Sequence, residues 1–294
     1  MRPTLMLLAV VTACASSSRL PYDAPTPAVR GTLQIVGGGR QPPALVQHFV
    51  QLAGGANRAK ILVFAQASAS GERSGEAKAA DFRELGVQAR NVWITREQAD
   101  ADSIVALVRD ATGIWFGGGD QNRLARVLRG TRVEQAIRER YRDGAVVGGT
   151  SAGAAVLSAV MITGSERRPG GARRDTTQDW ITIDRDNVVT DSGFALIPGA
   201  IVDQHFIRRR RHNRLISLVL EREPYLGVGI DESTALVVHP DGRWTVEGAS
   251  VAVIYDARGA NRTASGTLGA ADVRMHVLPA GSTFDPATGR ATLP

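Results

Sequence analysis

Gly149-Thr150-Ser151-Ala152-Gly153 has the spacing G-x-S-x-G, set in the stretch AVVGGTSAGAAVLS, where an apolar run climbs into two glycines and continues into small residues. That pattern suits a strand turning sharply into a helix, with the serine lifted at the corner and the flanking glycines relieving the crowding. A serine so placed is a nucleophile if a base reaches it; without one the stretch is only a tight turn carrying a small residue. Five histidines are available. His48 falls on an early helical segment, His212 in an arginine-rich one, and His239 and His276 among C-terminal strands and turns. His205 differs, because LIPGAIVDQHF is an apolar strand that ends in Asp203-Gln204-His205. The base needs an orienting carboxylate from another strand end. LGVGIDES finishes in Asp231-Glu232, so Glu232 and Asp231 are candidates, with Asp203 weaker because it shares the strand of His205.

The elements that must position these residues alternate along the chain. TLQIVGGG reads as a strand, Pro42 to Leu52 as a helix, KILVFAQ as a strand, Gly75 to Leu85 as a helix, NVWIT as a strand and Gln98 to Arg109 as a helix. GIWFGGGD is the next strand, Asn122 to Arg129 a helix, and a further helix runs from Thr131 to about Arg142, where Thr131 and Glu134 have capping-box spacing. GAVVGG then leads into Ser151. Unbroken apolar strands alternating with helices predict an α/β fold, a three-layer αβα sandwich with a mostly parallel sheet, and the tail from Leu226 adds antiparallel strands. In such sheets the site lies beyond the carboxyl ends of the strands. Gly37 to Gly39, Gly117 to Gly119 and Gly148 to Gly149 should therefore share one edge. Thr163 to Asp191 has no clear period, and GSERRPGGARRDTTQD reads as a long mobile loop or insertion.

The 294 residues, 43% of them hydrophobic, suffice for a large core, and residues 31–294 are expected to form one domain. Lys and Arg exceed Asp and Glu by 35 to 29, but the excess is spread thinly without aromatic interleaving, so no nucleic-acid partner is expected. The opening MRPTLMLLAVVTAC has one arginine and an apolar stretch from Leu5 to Val11 too short to span a bilayer, as a signal peptide over residues 1–13 would have. Val11-Thr12-Ala13-Cys14 resembles a bacterial lipobox, which predicts lipidation of Cys14. A Pro/Ser-rich tether over residues 14–30 would follow, giving a protein lipid-anchored in the cell envelope on the periplasmic or extracellular face, with plain secretion as the alternative. The lone cysteine excludes an internal disulfide, and its position excludes cysteine-dependent glutamine amidotransfer. No metal and no cofactor is expected, since there is no H-E-x-x-H, cysteine cluster or carboxylate-rich loop.

Chain order separates two hydrolase types. An esterase of the α/β-hydrolase fold runs serine, acid, histidine, which would require His239 or His276; the sensible order here is Ser151, His205, Glu232. GGGDQNRL, GGTSAGAAVLS, PGAIVDQHFIRRRRHNRL and GVGIDESTALVV, in this order and spacing, resemble the cyanophycinase-like serine peptidases, relatives of dipeptidase E within the class I glutamine amidotransferase-like fold. The resemblance runs from about Thr32 to the C-terminus. It implies a Ser-His-Glu triad of Ser151, His205 and Glu232, and a substrate pocket using Gln121, Gln204, Arg209, Arg211 and Arg214. It also implies a homodimeric exopeptidase that releases β-aspartyl-arginine dipeptides from a polyaspartate chain decorated with arginine. Guanidinium forks after the histidine suit substrate carboxylates, with Arg208 and Arg210 directed elsewhere on a helix. The N–H of Ala152 and one from the Gly118-Gly119 turn are candidate oxyanion donors. Arg40, where the resemblance leads one to expect an acidic residue, and FAQAS in place of Thr-Ala-Ser depart from the pattern. They leave open short aspartyl or isoaspartyl peptides as substrates, or a non-catalytic peptide-binding lipoprotein on the same fold.

Overall fold

The computed structural model describes residues 29–167, 173–175 and 182–294; the leader, Cys14 and the tether up to residue 28 lie outside them. The first half of the chain forms β1 (Leu33–Val36), α1 (Pro43–Leu52), β2 (Lys60–Phe64), α2 (Gly71–Arg83), β3 (Gln88–Asn91), α3 (Asp102–Asp110), β4 (Gly113–Phe116), α4 (Gln121–Leu128), α5 (Arg132–Arg142), β5 (Val146–Thr150) and α6 (Ala152–Ala155). Then come β6 (Val160–Arg167), β7 (Arg173–Asp175), β8 (Val188–Ser192), β9 (Ala200–Gln204), α7 (His212–Glu221), β10 (Leu226–Ile230), β11 (Thr234–Val238) and β12 (Trp244–Gly248). The chain closes with β13 (Val251–Asp256), β14 (Asn261–Arg262), β15 (Ala270–Ala271), β16 (Arg274–Pro279), β17 (Thr283–Asp285) and β18 (Arg290–Thr292).

The large sheet has the order β18-β17-β12-β11-β1-β5-β4-β2-β3. Its five strands β1, β5, β4, β2 and β3 are parallel, and the C-terminal strands extend it antiparallel from β11 outward. LQIV, KILVF and GIWF are buried almost throughout because helices cover both faces. On one face α1 and α2 contribute Phe49 and Phe82, which meet Trp115 of β4 edge-on at 5.0 and 5.9 Å. The other face packs α3, α4, α5 and α6 in a core that also takes in Val202, Val228 and Ile254.

Those last residues belong to a second sheet, β16-β13-β10-β9, in which β9 and β10 are parallel. The expectation that the tail adds only to the central sheet holds for β11, β12, β17 and β18, whereas β13 and β16 pair with β10 instead. The outer face of this second sheet is sealed by Leu215, Leu218 and Val219 of α7. The stretch read as a loop after Thr163 is in part a strand: β6 pairs with β7 and β8. Residues 168–172 and 176–181 of that segment lie outside the described ones.

Element boundaries differ in instructive places. α2 begins at Gly71, four residues before its expected start, because Gly71 and Gly75 are there for close packing: a Cβ on them would sit 2.0 Å from the Trp93 ring and 2.2 Å from the Asn91 amide. Asn91 ends β3, so only the first residue of NVWIT is strand. The helix expected over Gln98 to Arg109 is broken at Ala101, whose ψ of 134 separates a 3-10 turn (Glu97–Asp100) from α3. At α5 the Thr131 hydroxyl accepts from Glu134 N at 3.3 Å, while the returning Glu134 carboxylate takes Gly130 N at 2.6 Å, one residue before the cap. Among the described residues no helix is long and apolar enough to cross a membrane.

Candidate active site

Ser151 stands between β5 and α6 with φ 55 and ψ −111, a left-handed backbone that a serine adopts only under constraint. The constraint is visible on both sides. A Cβ on Gly149 would lie 2.4 Å from Gly153 O, and one on Gly153 would lie 2.2 Å from Phe116 O, so strand and helix approach backbone to backbone. Ser151 N is tied back to Val36 O at 3.1 Å, and Ala154 N and Ala155 N both donate to Ser151 O at 3.0 Å.

The hydroxyl meets His205 Nε2 at 2.9 Å, and His205 Nδ1 meets Glu232 Oε1 at 2.6 Å. Gln204 Oε1 lies 3.4 Å from the same hydroxyl. His205 and Glu232 follow β9 and β10, the two parallel strands of the second sheet, so the serine and the histidine arrive on different sheets. His205 also has a positive φ of 48, held by its N–H to Gly37 O at 2.6 Å. Burial pushes the His205 pKa down; the Glu232 hydrogen bond pushes it up, and the Arg209 charge adds to the drop, with a net fall below the ordinary 6.5. The imidazole is therefore neutral at pH 7, the state in which Nε2 can accept a proton.

Gly38 and Gly39 form the wall behind this pair, a role that their place at a strand end in the sequence does not announce. A Cβ on Gly38 would lie 2.4 Å from His205 Cε1, and one on Gly39 would lie 2.9 Å from Glu232 Cβ, and both glycines have positive φ. Gly118 faces the serine from the β4 side, where a Cβ would be 3.5 Å from Ser151 Cβ. Among the described residues no protein acceptor takes the N–H of Gly118, Gly119 or Ala152.

The two other carboxylates considered for the orienting role are occupied. Asp231 accepts from Ile207 N and Arg208 N at 3.1 and 3.0 Å and from the Ser250 hydroxyl at 2.9 Å, which fixes the turn after His205. Asp203 is fully buried and takes both Nε, at 2.6 Å, and Nη2 of Arg214. The proposed pocket residues consequently divide. Arg214 is 1% exposed and committed to Asp203, although its Nη1 has no hydrogen-bond partner among the described residues. Arg211 is also buried, donating to Gln204 O at 2.7 Å and lying 3.6 Å from Asp203, and burial with the adjacent Arg214 pushes its pKa down. Arg209 is half-buried and electrostatically coupled to Glu232. Arg208 and Arg210 are exposed, as expected, but in turns that precede α7 rather than on a helix. Gln121, 5% exposed, opens α4 and donates to Ile162 O at 2.7 Å.

The remaining histidines stand apart from Ser151. His48 pairs with Glu247, His212 with the Tyr255 hydroxyl and His239 with Thr245, while the His276 ring packs on Phe284. An esterase arrangement through His239 or His276 is thus contradicted.

Comparison with known proteins places the chain in a family. The model of peptidase family S51 matches residues 33–244. A cyanophycinase of Nostoc sp. is 36% identical over 239 residues, 78% of this chain and 76% of that protein. A cyanophycinase of Synechococcus elongatus is 33% identical over 271 residues, 87% of this chain and 79% of that one. The crystal structure of a peptidase from an acI-B1 actinobacterium superposes with a TM-score of 0.64 at 25% identity, covering 88% of this chain and 98% of that chain. Motif, fold and family model converge: this chain belongs to peptidase family S51 and is a serine-type peptidase.

Proposed function

We propose that the protein is a cyanophycinase-type exopeptidase that cleaves the arginine-decorated polyaspartate cyanophycin into β-aspartyl-arginine dipeptides through Ser151, His205 and Glu232. The reading rests on the hydrogen-bonded chain from Ser151 to Glu232 lying against three arginines. Among the described residues Arg209, Arg211 and Arg214 gather beside the carboxylates of Asp203 and Glu232, a concentration of guanidinium groups suited to a substrate carboxylate. The cyanophycinase relatives support the polymer as substrate.

In this mechanism Ser151 Oγ attacks the scissile carbonyl carbon while His205 Nε2 takes its proton, and Glu232 holds Nδ1–H and stabilises the imidazolium. The oxyanion is received by the N–H groups of Ala152 and of the Gly118-Gly119 turn, each donor contributing about 3 kcal/mol. His205 then protonates the leaving amine, and water releases the acyl group by the same steps in reverse roles. Half-buried Arg209 presents its guanidinium to a substrate carboxylate. Buried Arg211 and Arg214 set the field of the pocket and, with Gln204 and Gln121, its shape.

Incubating the purified protein with cyanophycin and identifying products by mass spectrometry tests the proposal. β-Aspartyl-arginine from the wild type and none from Ser151→Ala is the expected result; an intact polymer under both overturns it. The leader-like first residues support an envelope location with a lipid on Cys14, and the resemblance to the cyanophycinase-like peptidases supports a homodimeric state. Labelling with an alkynyl fatty acid, lost in Cys14→Ser, and a light-scattering mass twice that of the chain are the expected results; an unlabelled wild type or a monomer would remove those parts.

A further inference from the structure

Lys78 is a half-buried charge that the mechanism does not use. Its side chain, on α2, is 15% exposed, and Nζ lies 4.8 Å from the centre of the Phe82 ring and 5.3 Å from that of Trp115. Burial pushes its pKa down against the pull of Asp81, whose exposed carboxylate is 3.7 Å away. Placing an ammonium over aromatic rings recovers part of the desolvation cost, and one amide oxygen recovers more. That oxygen is Gln41 Oε1, which accepts from Nζ at 2.7 Å.

Gln41 ends the glycine loop that walls the active site. Along this loop Gly37 O accepts from His205 N at 2.6 Å, Gly38 O from Ser233 N at 2.9 Å, and Arg40 O from the Ser233 hydroxyl at 2.7 Å. Gly38 and Gly39 lie so close to the His205 ring and Glu232 that neither tolerates a Cβ. The loop is thus bonded on one side to the turns that carry His205 and Glu232, and at its far end to a helix of the large sheet.

We infer that Lys78 is a positioning residue: through Gln41 it pins the glycine loop that holds His205 and Glu232 in line with Ser151. The inference rests on the proposed triad. Lys78→Met keeps the length and the apolar stem over the rings but removes the tether, so the loop can lift and Glu232 can retreat from His205 Nδ1. Glu232 is what holds the His205 proton affinity up against burial, Arg209 and Arg211.

The test is the rate at which an aryl sulfonyl fluoride modifies Ser151 in the full-length protein, measured across pH. Oγ bonds to sulfur, fluoride leaves, and the serine proton passes through His205 to water, so the rate reports the nucleophile and its base whatever the natural substrate. Lys78→Met and Gln41→Ala should each slow modification about tenfold, as a small misplacement of the base does. Each should also move the acid limb to lower pH, and the double variant should be no slower than either single, because both cut one connection. A role in stability alone would lower the melting temperature and leave the acid limb in place. Wild-type rates with an unchanged acid limb, or losses that multiply in the double variant, overturn the inference. If Lys78→Met does not fold, Gln41→Ala, which leaves the rings covered, decides alone by the same criteria. A folded wild type left unmodified at Ser151 overturns the triad reading instead, and the tether with it.

Discussion

At the scale of single residues the proposed mechanism turns on the environment of His205. Its pKa is lowered by burial and partly restored by Glu232, so kcat/KM should fall on an acid limb below the ordinary histidine value of 6.5. Glu232→Gln removes the restoring charge, so kcat should drop and the limb move further down in pH; a limb that stays in place would show that another group governs it. The arginines separate by what they touch. Arg209→Ala should raise KM with little change in melting temperature. Arg214→Met removes the two guanidinium hydrogen bonds of the buried Asp203 carboxylate and should cost about 3 kcal/mol of stability, read by denaturant titration. Equal stability losses for the two would contradict that separation. Sequence made Ser151, His205 and Glu232 legible because each sits where an apolar run stops. Strand position alone sets Asp203 lower but does not rank Glu232 over Asp231; the fold assigns Asp231 to two backbone amides and Asp203 to Arg214.

Elements act here through the distances at which they meet. Gly38→Ala would drive a methyl into the His205 ring at a backbone φ of +116, and we expect at least a hundredfold loss of kcat with secondary structure intact by circular dichroism. Retained activity would mean that the loop gives way freely. The parallel strands and their alternating helices were legible from apolar runs and spacing. The start of α2 was not, because Gly71 and Gly75 lower helix propensity while serving contacts to Trp93 and Asn91 that no local pattern announces. Nor was the division of the tail between two sheets: β11 and β13 are equally apolar, and the choice of β1 or β10 as partner is a matter of tertiary packing.

For the whole molecule, ionisation links the site to stability. Burial lowers the pKa of His205, His212, His239 and His276 below 6.5, so the unfolded chain binds protons that the folded one refuses. This contribution is complete above pH 6.5 and is lost as pH falls through and below it. Asp256 adds a second, more acidic step: burial opposes its ionisation, but Arg258 and Arg274 outweigh that and hold it below 3.8, so their support persists until its carboxylate protonates. The melting temperature should therefore decline from neutral pH downward, and a protein equally stable at pH 5 and pH 7.5 would refute this account. Ser151 rides on the large sheet while His205 and Glu232 ride on the smaller one. If the proposed triad does the chemistry, a chain that has closed only one of them is inert, and a half-made molecule is no danger to its neighbours.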